Sequence, residues 1–324
     1  MLDTLIAIFH MCIFPGGIFA LGIGLLLKGL DRIVEARLQR RVGPPVVQPY
    51  YDIAKLLTKE TLIPNTAHKA TFLLAPVLAF AGMLVCATFI PISGVYGGLD
   101  NMGDLLVILY LLPIAAIALL LGASSSSSPF GAIGFSREML MMLAYEIPLI
   151  LVLLSVAMLV GKATGVGAEF SLGNILSFQE REGMLGFNPI MLPALLAYLL
   201  FIPGALGVVP FDIAEAETEI LEGPLLEYGG PPLALFQLGS ALKSYVVLGL
   251  GVVLFFPATI GSGWLDNWFF NLIWFFLKCE LLMLIAITIV KSATGRFRIE
   301  QALAFYLKFP IPLALLSLVL IWLQ

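Results

Sequence analysis

PFDIAEAETEILEGPLLEYGGPP, residues Pro210 to Pro232, holds six acids and no lysine or arginine. The acids are Asp212, Glu215, Glu217, Glu219, Glu222 and Glu227. Long apolar runs flank the segment, 190–209 before it and 233–257 after it. Such a charge anomaly between two apolar runs reads as a functional loop held in a membrane frame.

Composition supports the frame. The 324 residues are 60% hydrophobic and 12% charged, with a mean hydropathy of +1.04. A soluble chain carries about twice that charged fraction, and a large soluble core needs polar helix faces that most of these runs lack. The expected fold is all-α, a polytopic membrane helix bundle. A spanning helix needs about 20 mostly apolar residues. Eight stretches qualify: 3–28, 71–92, 103–122, 138–160, 190–209, 233–257, 268–290 and 303–323. Pro15-Gly16-Gly17 and Pro203-Gly204 would break a soluble helix, but neighbours in a bundle satisfy the freed backbone groups. No internal repeat is visible, which disfavours an inverted-repeat transporter. The N-terminal run lacks a basic n-region and a small-residue cleavage site, so it reads as a retained helix.

Lysine and arginine set the expected orientation. Lys28, Arg32, Arg37, Arg40, Arg41, Lys55, Lys59 and Lys69 border the first loop. Arg137 opens the fourth span, and Lys291, Arg296 and Arg298 follow the seventh. With eight spans all of these fall on one side, while the opposite loops hold Lys162 and Arg181. The basic side is read as cytoplasmic at the cell membrane, with both termini outside. The chain is then one transmembrane domain, 1–324, with a cytoplasmic loop at 29–70 and the acidic cytoplasmic loop at 210–232. In the first loop Pro49 suits an initial helical turn. Ile53, Leu56, Leu57 and Thr58 follow at helical spacing, and Pro64 ends the run. A short amphipathic helix is expected, either lying near the membrane surface or packing on the bundle as a lid. The five-serine run Ser124–Ser128 reads first as a flexible linker, with the lining of a wet cavity as the alternative.

Few residues offer redox or metal chemistry. Cys12, Cys86 and Cys279 sit in apolar runs without a CxxC and read as small buried hydrophobes; His10 and His68 are isolated, so no metal, cluster or haem site is visible. No cofactor is expected on this chain, so any electrons run through another. The net charge of -4 is spread over loops and gives no sign of nucleic-acid binding.

Charges inside a bilayer cost about 2.5–3.5 kcal/mol each, so they mark function by default. Glu146, Lys243, Lys278 and Glu280 lie within spans, while Lys308 snorkels. Lys278 and Glu280 face different sides of their helix, so each is expected to find a partner elsewhere. Glu146 precedes Pro148, where a kinked helix admits water, and a buried proton site is favoured over a structural hydrogen bond. In the acidic segment, Asp212, Glu215, Glu219 and Glu222 are spaced 3, 4 and 3 apart, which puts them on one face of a helix. Asp212 with Glu215 also fits an ordinary D-x-x-E cap, an explanation that does not reach Glu217, Glu219, Glu222 or Glu227. Crowded acids raise one another's pKa and titrate as a group. The segment is read as a proton path leading to Glu146 and Lys243.

Three motifs in order resemble the NuoH family, the membrane subunit of respiratory complex I and its relatives in membrane-bound NiFe hydrogenases. They are ARLQRRVGPPVVQPYYDIAKLLTKETLIP (36–64), SREMLMMLAYEIPL (136–149) and PFDIAEAETEILEGPLLEYGGPPLALF (210–236). The resemblance implies a subunit that joins a hydrophilic redox arm to a membrane arm. It implies a proton route, the E-channel, through Glu146, Asp212, Glu215, Glu217, Glu219, Glu222 and Glu227, with Glu138, Lys243, Lys278 and Glu280 as further candidates. It implies a redox-module interface at Arg37, Arg40, Arg41, Gln48, Asp52, Lys55, Lys59, Glu60 and Arg137.

One departure picks out a branch. Quinone-using members place several more residues between R-x-G-P and Q-P; here only Pro45, Val46 and Val47 separate Pro44 from Gln48. The shortened loop looks like that of the hydrogenase-type branch, or of its sulfane sulfur reductase relative, which take electrons from ferredoxin without quinone. The implied partners are hydrogenase-like large and small subunits, a ferredoxin-like subunit carrying Fe–S clusters with NiFe in the large subunit, and antiporter-like membrane subunits. The rival readings are a quinone-site subunit of an NADH or F420H2 dehydrogenase and a stand-alone ion transporter.

Overall fold

A backbone in lipid must bond to itself, so each long apolar run folds as a helix. The computed structural model describes residues 9–98, 104–259 and 267–324. The helices, in chain order, are α1 (Gly17–Leu38), α2 (Gln48–Leu57), α3 (Lys69–Thr88), α4 (Asp104–Leu111), α5 (Ile114–Ser125) and α6 (Pro129–Thr164). They continue with α7 (Leu172–Glu182), α8 (Leu192–Ala205), α9 (Gly230–Phe255), α10 (Trp268–Met283), α11 (Ile299–Lys308) and α12 (Pro310–Leu323). Among the described residues the one β feature is an isolated bridge between Ile92 and Tyr96.

Among the described residues seven segments are long and apolar enough to cross a membrane: Phe9–Leu38, Lys69–Thr88, Asp104–Ser125, Pro129–Thr164, Gly230–Phe255, Trp268–Ala293 and Ile299–Leu323. The polytopic bundle is as expected, with two differences in length. The run at 190–209 forms only α8, 14 residues, about 21 Å against a hydrocarbon core of about 30 Å. Asn188 bonds the first turn from outside it, and Gly207 turns left-handed at its end (φ 60°). The first span runs on to Leu38 rather than ending at residue 28, so Asp31, Arg32, Glu35 and Arg37 ride on its last turns.

The central element is α9. In its span 89% of the most apolar 18-residue window is buried, against 28% to 50% in the others. It packs on α1, α3 and α10. Lipid tails give helices no hydrophobic reason to associate, so close backbone approach and interhelical hydrogen bonds carry the packing, the latter about 0.6 kcal/mol each on average. Tyr198 donates to the Val247 carbonyl (2.6 Å), Gln179 to Val253 (3.0 Å), Lys162 to Ile321 (2.7 Å) and Tyr306 to Leu200 (3.2 Å).

The basic loops gather at one end. His68 N–H donates to Ser125 O (3.0 Å) and the Ser127 hydroxyl to Thr66 O (3.1 Å). Phe297 N–H donates to Pro210 O (3.0 Å). The serine run is therefore no loose linker. Ser124, Ser125 and Ser126 each bond a carbonyl three residues back, ending α5 and tying it to the first loop. In that loop α2 packs on α1 and α9. Its buried residues are Pro49 and Ile53, the latter beside Leu25 and Ala241, while Leu57 is exposed. Helical spacing predicts a buried Leu57, but the helix ends there.

The acidic segment also departs from expectation. It is not one helix with four acids on a face. Residues 208–216 run irregularly, Glu217–Ile220 makes a single turn, and Leu221 and Glu222 are both left-handed (φ 52° and 60°). No D-x-x-E cap forms, because Asp212 is drawn to an arginine 84 residues away.

Candidate functional site

A cavity of about 500 Å³ lies between α1, α2, α6, α9 and the acidic segment. Its charged lining comes from five directions: Lys28 and Arg32 on α1, Asp52 on α2, Glu138 on α6, Lys243 on α9, and Asp212, Glu215 and Glu222 from the acidic segment. Leu25, Ile53, Phe211 and Phe236 supply apolar wall between them. Charges this deep persist only when other charges or water answer them.

Two arginines staple the acidic segment over the cavity. Arg296 grips Asp212 with both ends of its fork, Nε to Oδ1 at 2.8 Å and Nη2 to Oδ2 at 2.5 Å, and also bonds Thr218 (2.8 Å). Arg137 pairs with Glu219 at 2.5 Å and bonds the Ile213 carbonyl (3.4 Å). The close fit continues at Pro224, whose ring leaves no room for a Cβ on Gly134 of α6.

Glu215 is the acid of the segment that these staples present to the cavity wall. Burial, and then the charge of Glu138, push its carboxyl up to about 7, against the pull of Lys28 and Lys243, with Asp212 adding to the rise. A carboxyl tuned near neutrality exchanges protons at working pH. Lys243 feels three carboxylates, Glu138, Glu146 and Glu215. Its ammonium sits 5.7 Å from the centre of the Tyr145 ring. Glu138 and Tyr145 are seven residues apart, so they share a face of α6 and both meet Lys243. Glu146 lies beyond the cavity lining. Its Oε1 is buried with no hydrogen-bond partner among the described residues.

The other expected site residues fall into three groups. Glu222 lines the cavity from an exposed position, and Glu227 is half-buried away from it. The side chain of Glu217 lies outside the described part of the structure. Lys278 is elsewhere, donating to the carbonyls of Phe256 (2.7 Å) and Ala258 (2.9 Å) just past α9. Glu280, on the same helix, has a buried Oε2 without a partner among the described residues and lies nearest in charge to Asp31. Asp31 in turn accepts from Thr288 (2.7 Å), and Lys291 bridges Asp31 (3.6 Å) and Glu35 (2.6 Å).

At the basic end Arg37, Arg40, Arg41, Lys55, Lys59 and Glu60 are exposed. Gln48 and Asp52 turn inward instead. Asp52 accepts from Arg32 and Gln48, both at 2.9 Å. Burial disfavours its charge, but those two bonds, together with the charges of Arg32 and Lys55, outweigh burial and hold the carboxyl below the usual range. Sequence reasoning missed Lys28 as a site residue, counting it only for topology. The signal was present: a lysine in LGIGLLLKGL with no acid within a turn on its N-terminal side. It also missed Arg296 and Arg32, whose partners are distant in sequence. Among the described residues no group of three or more His, Cys, Asp or Glu side chains converges as metal ligands would.

The chain matches the family model described as NADH dehydrogenase over residues 11–322. It is 37% identical over 233 residues to formate hydrogenlyase subunit 4 of Escherichia coli, covering 72% of this chain and 73% of that protein. It is 31% identical over 305 residues to the NuoH subunit of the NADH-quinone oxidoreductase of Dehalococcoides mccartyi, covering 91% of this chain and 81% of that one. Hydrogenase-4 component C of Escherichia coli is 36% identical over 236 residues, 72% of this chain and 70% of that protein. Among solved structures, a chain of the archaeal membrane-bound sulfane sulfur reductase superposes with a TM-score of 0.84 at 30% identity, covering 94% of this chain and 96% of that one. The chain belongs to the NADH dehydrogenase (NuoH) family of transmembrane subunits, which serve complex I-like and hydrogenase-type membrane complexes.

Proposed function

We propose that this subunit anchors the redox module of a ferredoxin-dependent, membrane-bound hydrogenase and couples its electron transfer to proton or ion translocation. One observation carries the coupling. Glu215, Glu138, Lys243 and Glu146 form an electrostatically linked series that starts in a cavity at the basic end and finishes inside a span. A charge change in a redox module docked over the cavity alters Glu215 first, and the shared ammonium of Lys243 passes the change to Glu146. Each member acts by holding or releasing a proton on its own carboxyl or amine.

The shortened link from Pro44 to Gln48 and the likeness to a formate hydrogenlyase subunit and a hydrogenase-4 component support the hydrogenase branch. The likeness to a sulfane sulfur reductase chain supports sulfur reduction as the second reading. On either reading the basic end faces the cytoplasm; α8, though short, leads from Gly186 beside Phe256 back to Pro210 beside Phe297 at the basic end, which leaves both termini outside, and the exposed arginines and lysines of residues 37–59 meet the redox module. The Fe–S clusters and NiFe centre belong to large, small and ferredoxin-like partner subunits, and antiporter-like subunits flank this one in the cell membrane.

Glu146→Gln in the whole complex tests the coupling. The amide keeps the size and loses the proton site, so ions moved per electron should fall at least tenfold while the complex assembles. Wild-type ion movement in an assembled Glu146→Gln complex would reduce the subunit to a passive anchor.

A further inference from the structure

Lys28 is partly buried, lines the cavity, and has a single hydrogen-bond acceptor among the described residues, the Ser240 hydroxyl at 2.8 Å. An ammonium carries three donors, so its remaining N–H groups have only cavity space to address. Its place is fixed by two close backbone approaches on α1. A Cβ on Gly24 would collide with the Ala241 carbonyl oxygen, and one on Gly29 with that of Val46. The helix is thus pressed onto α9 on one side of Lys28 and onto the first loop on the other. Ser240 and Lys243 are three residues apart, so both lysines meet the same stripe of α9.

The charges around Lys28 and Glu215 can be taken element by element. Lys28 faces Glu215 from the acidic segment and Arg32 and Asp31 from its own helix. Glu215 faces Glu138 from α6, Lys28 from α1, Lys243 from α9, and Asp212 from its own segment. The inner ammonium, Lys243, faces Glu138, Glu146 and Glu215. Glu215 is therefore the one carboxyl that both lysines share. Arg32, the neighbour of Lys28, is bound to Asp52 on α2.

We propose that Lys28 is the positioning residue that sets the charge of Glu215, linking the Arg32–Asp52 pair at the mouth of the cavity to the inner Glu138–Lys243–Glu146 cluster. With Lys28 on Ser240, Glu215 keeps its proton more readily. When the ammonium turns to Glu215, the carboxyl releases its proton to cavity water and the inner cluster feels a new negative charge. No electron or co-reactant enters the step: one O–H bond breaks at Glu215 and the proton goes to water. This rests on the coupling role proposed above for the acids.

The test uses the whole complex in liposomes, following ions moved per electron against pH, with assembly checked on each variant. Lys28→Met removes the cation, so Glu215 ionises less readily and the acid limb of the profile should move about one pH unit towards alkali. Lys28→Arg keeps the charge and should restore the limb. Ser240→Ala frees the ammonium for Glu215 and should move the limb the other way. An assembled Lys28→Met complex with the wild-type profile overturns the proposal. If Lys28→Met does not assemble, Ser240→Ala decides, and an unmoved limb overturns it. Glu146→Gln run alongside separates the two readings. If that variant pumps normally, the coupling role itself falls. If it loses pumping while the lysine and serine variants keep the wild-type profile, only the role of Lys28 falls.

Discussion

Glu215 is acidic by sequence and nearly neutral by position. Its carboxyl is raised from an ordinary 4.5 to about 7, so the fold favours the protonated form. The sign follows from linkage: the unfolded chain releases this proton at lower pH than the folded one, so the contribution is fully present below pH 4.5 and is lost as pH rises to about 7. Glu215→Gln removes the titration. The melting temperature of the variant should fall less than that of wild type between pH 4.5 and 7.5, the difference growing with pH. Parallel curves would mean that Glu215 titrates as an ordinary exposed acid. Sequence spacing ranked the acids differently, setting Asp212 and Glu215 aside as a cap and favouring Glu217, Glu219, Glu222 and Glu227. The local pattern contains no trace of Arg296 or Arg137, which neutralise Asp212 and Glu219 from 84 and 82 residues away. Pairings of that separation are set by the bundle, so which acid reaches the cavity is a tertiary fact.

The same limit appears in whole elements. Hydropathy located the seven long spans among the described residues, because a helix in lipid needs only an apolar run, but it also counted 190–209 as an eighth of full length. It gave lengths less well. α8 stops short where Gly207 turns left-handed, and α6 extends to 36 residues, about 54 Å, which carries Arg137 beyond a hydrocarbon layer. The acidic segment failed as a helix because its order comes from outside. Two charge-assisted arginine contacts replace the ladder of a helix, the partly buried Arg296–Asp212 grip worth about 2 kcal/mol and the more exposed Arg137–Glu219 pair about 1 kcal/mol or less. Arg296→Ala removes the bidentate grip on Asp212 and the bond to Thr218. Cleavage of the detergent-solubilised chain after its glutamates at 215–222 should then quicken roughly tenfold or more, with α9 left intact. Unchanged cleavage would show that packing of Pro224 on Gly134 holds the segment without the arginines.

The molecule as a whole is divided across the membrane. The charges that line the cavity lie at the basic end, while beyond Lys243 the residues of α9 from Tyr245 to Phe255 are buried among apolar and aromatic side chains such as Tyr198, Phe275 and Leu282. Lys278, the charge of the expected relay that lies beyond this core, is already bound to two carbonyls. Beyond Lys243, α9 therefore offers a proton at Glu146 no further relay among the described residues. Around Glu146, however, Leu143, Ile147 and Ile150 are exposed on one side of α6, an apolar face that either lipid or another membrane subunit can cover. Under the coupling role proposed for these acids, the chain holds the first part of a route whose remainder lies in a neighbouring subunit. Purified alone and placed in liposomes, it should leave an imposed pH gradient undissipated, at the rate of protein-free vesicles, whereas the assembled complex builds a gradient during turnover. Rapid collapse of the gradient by the lone chain, abolished by Glu146→Gln, would instead make it a transporter in its own right and would require a path through the apolar half of α9.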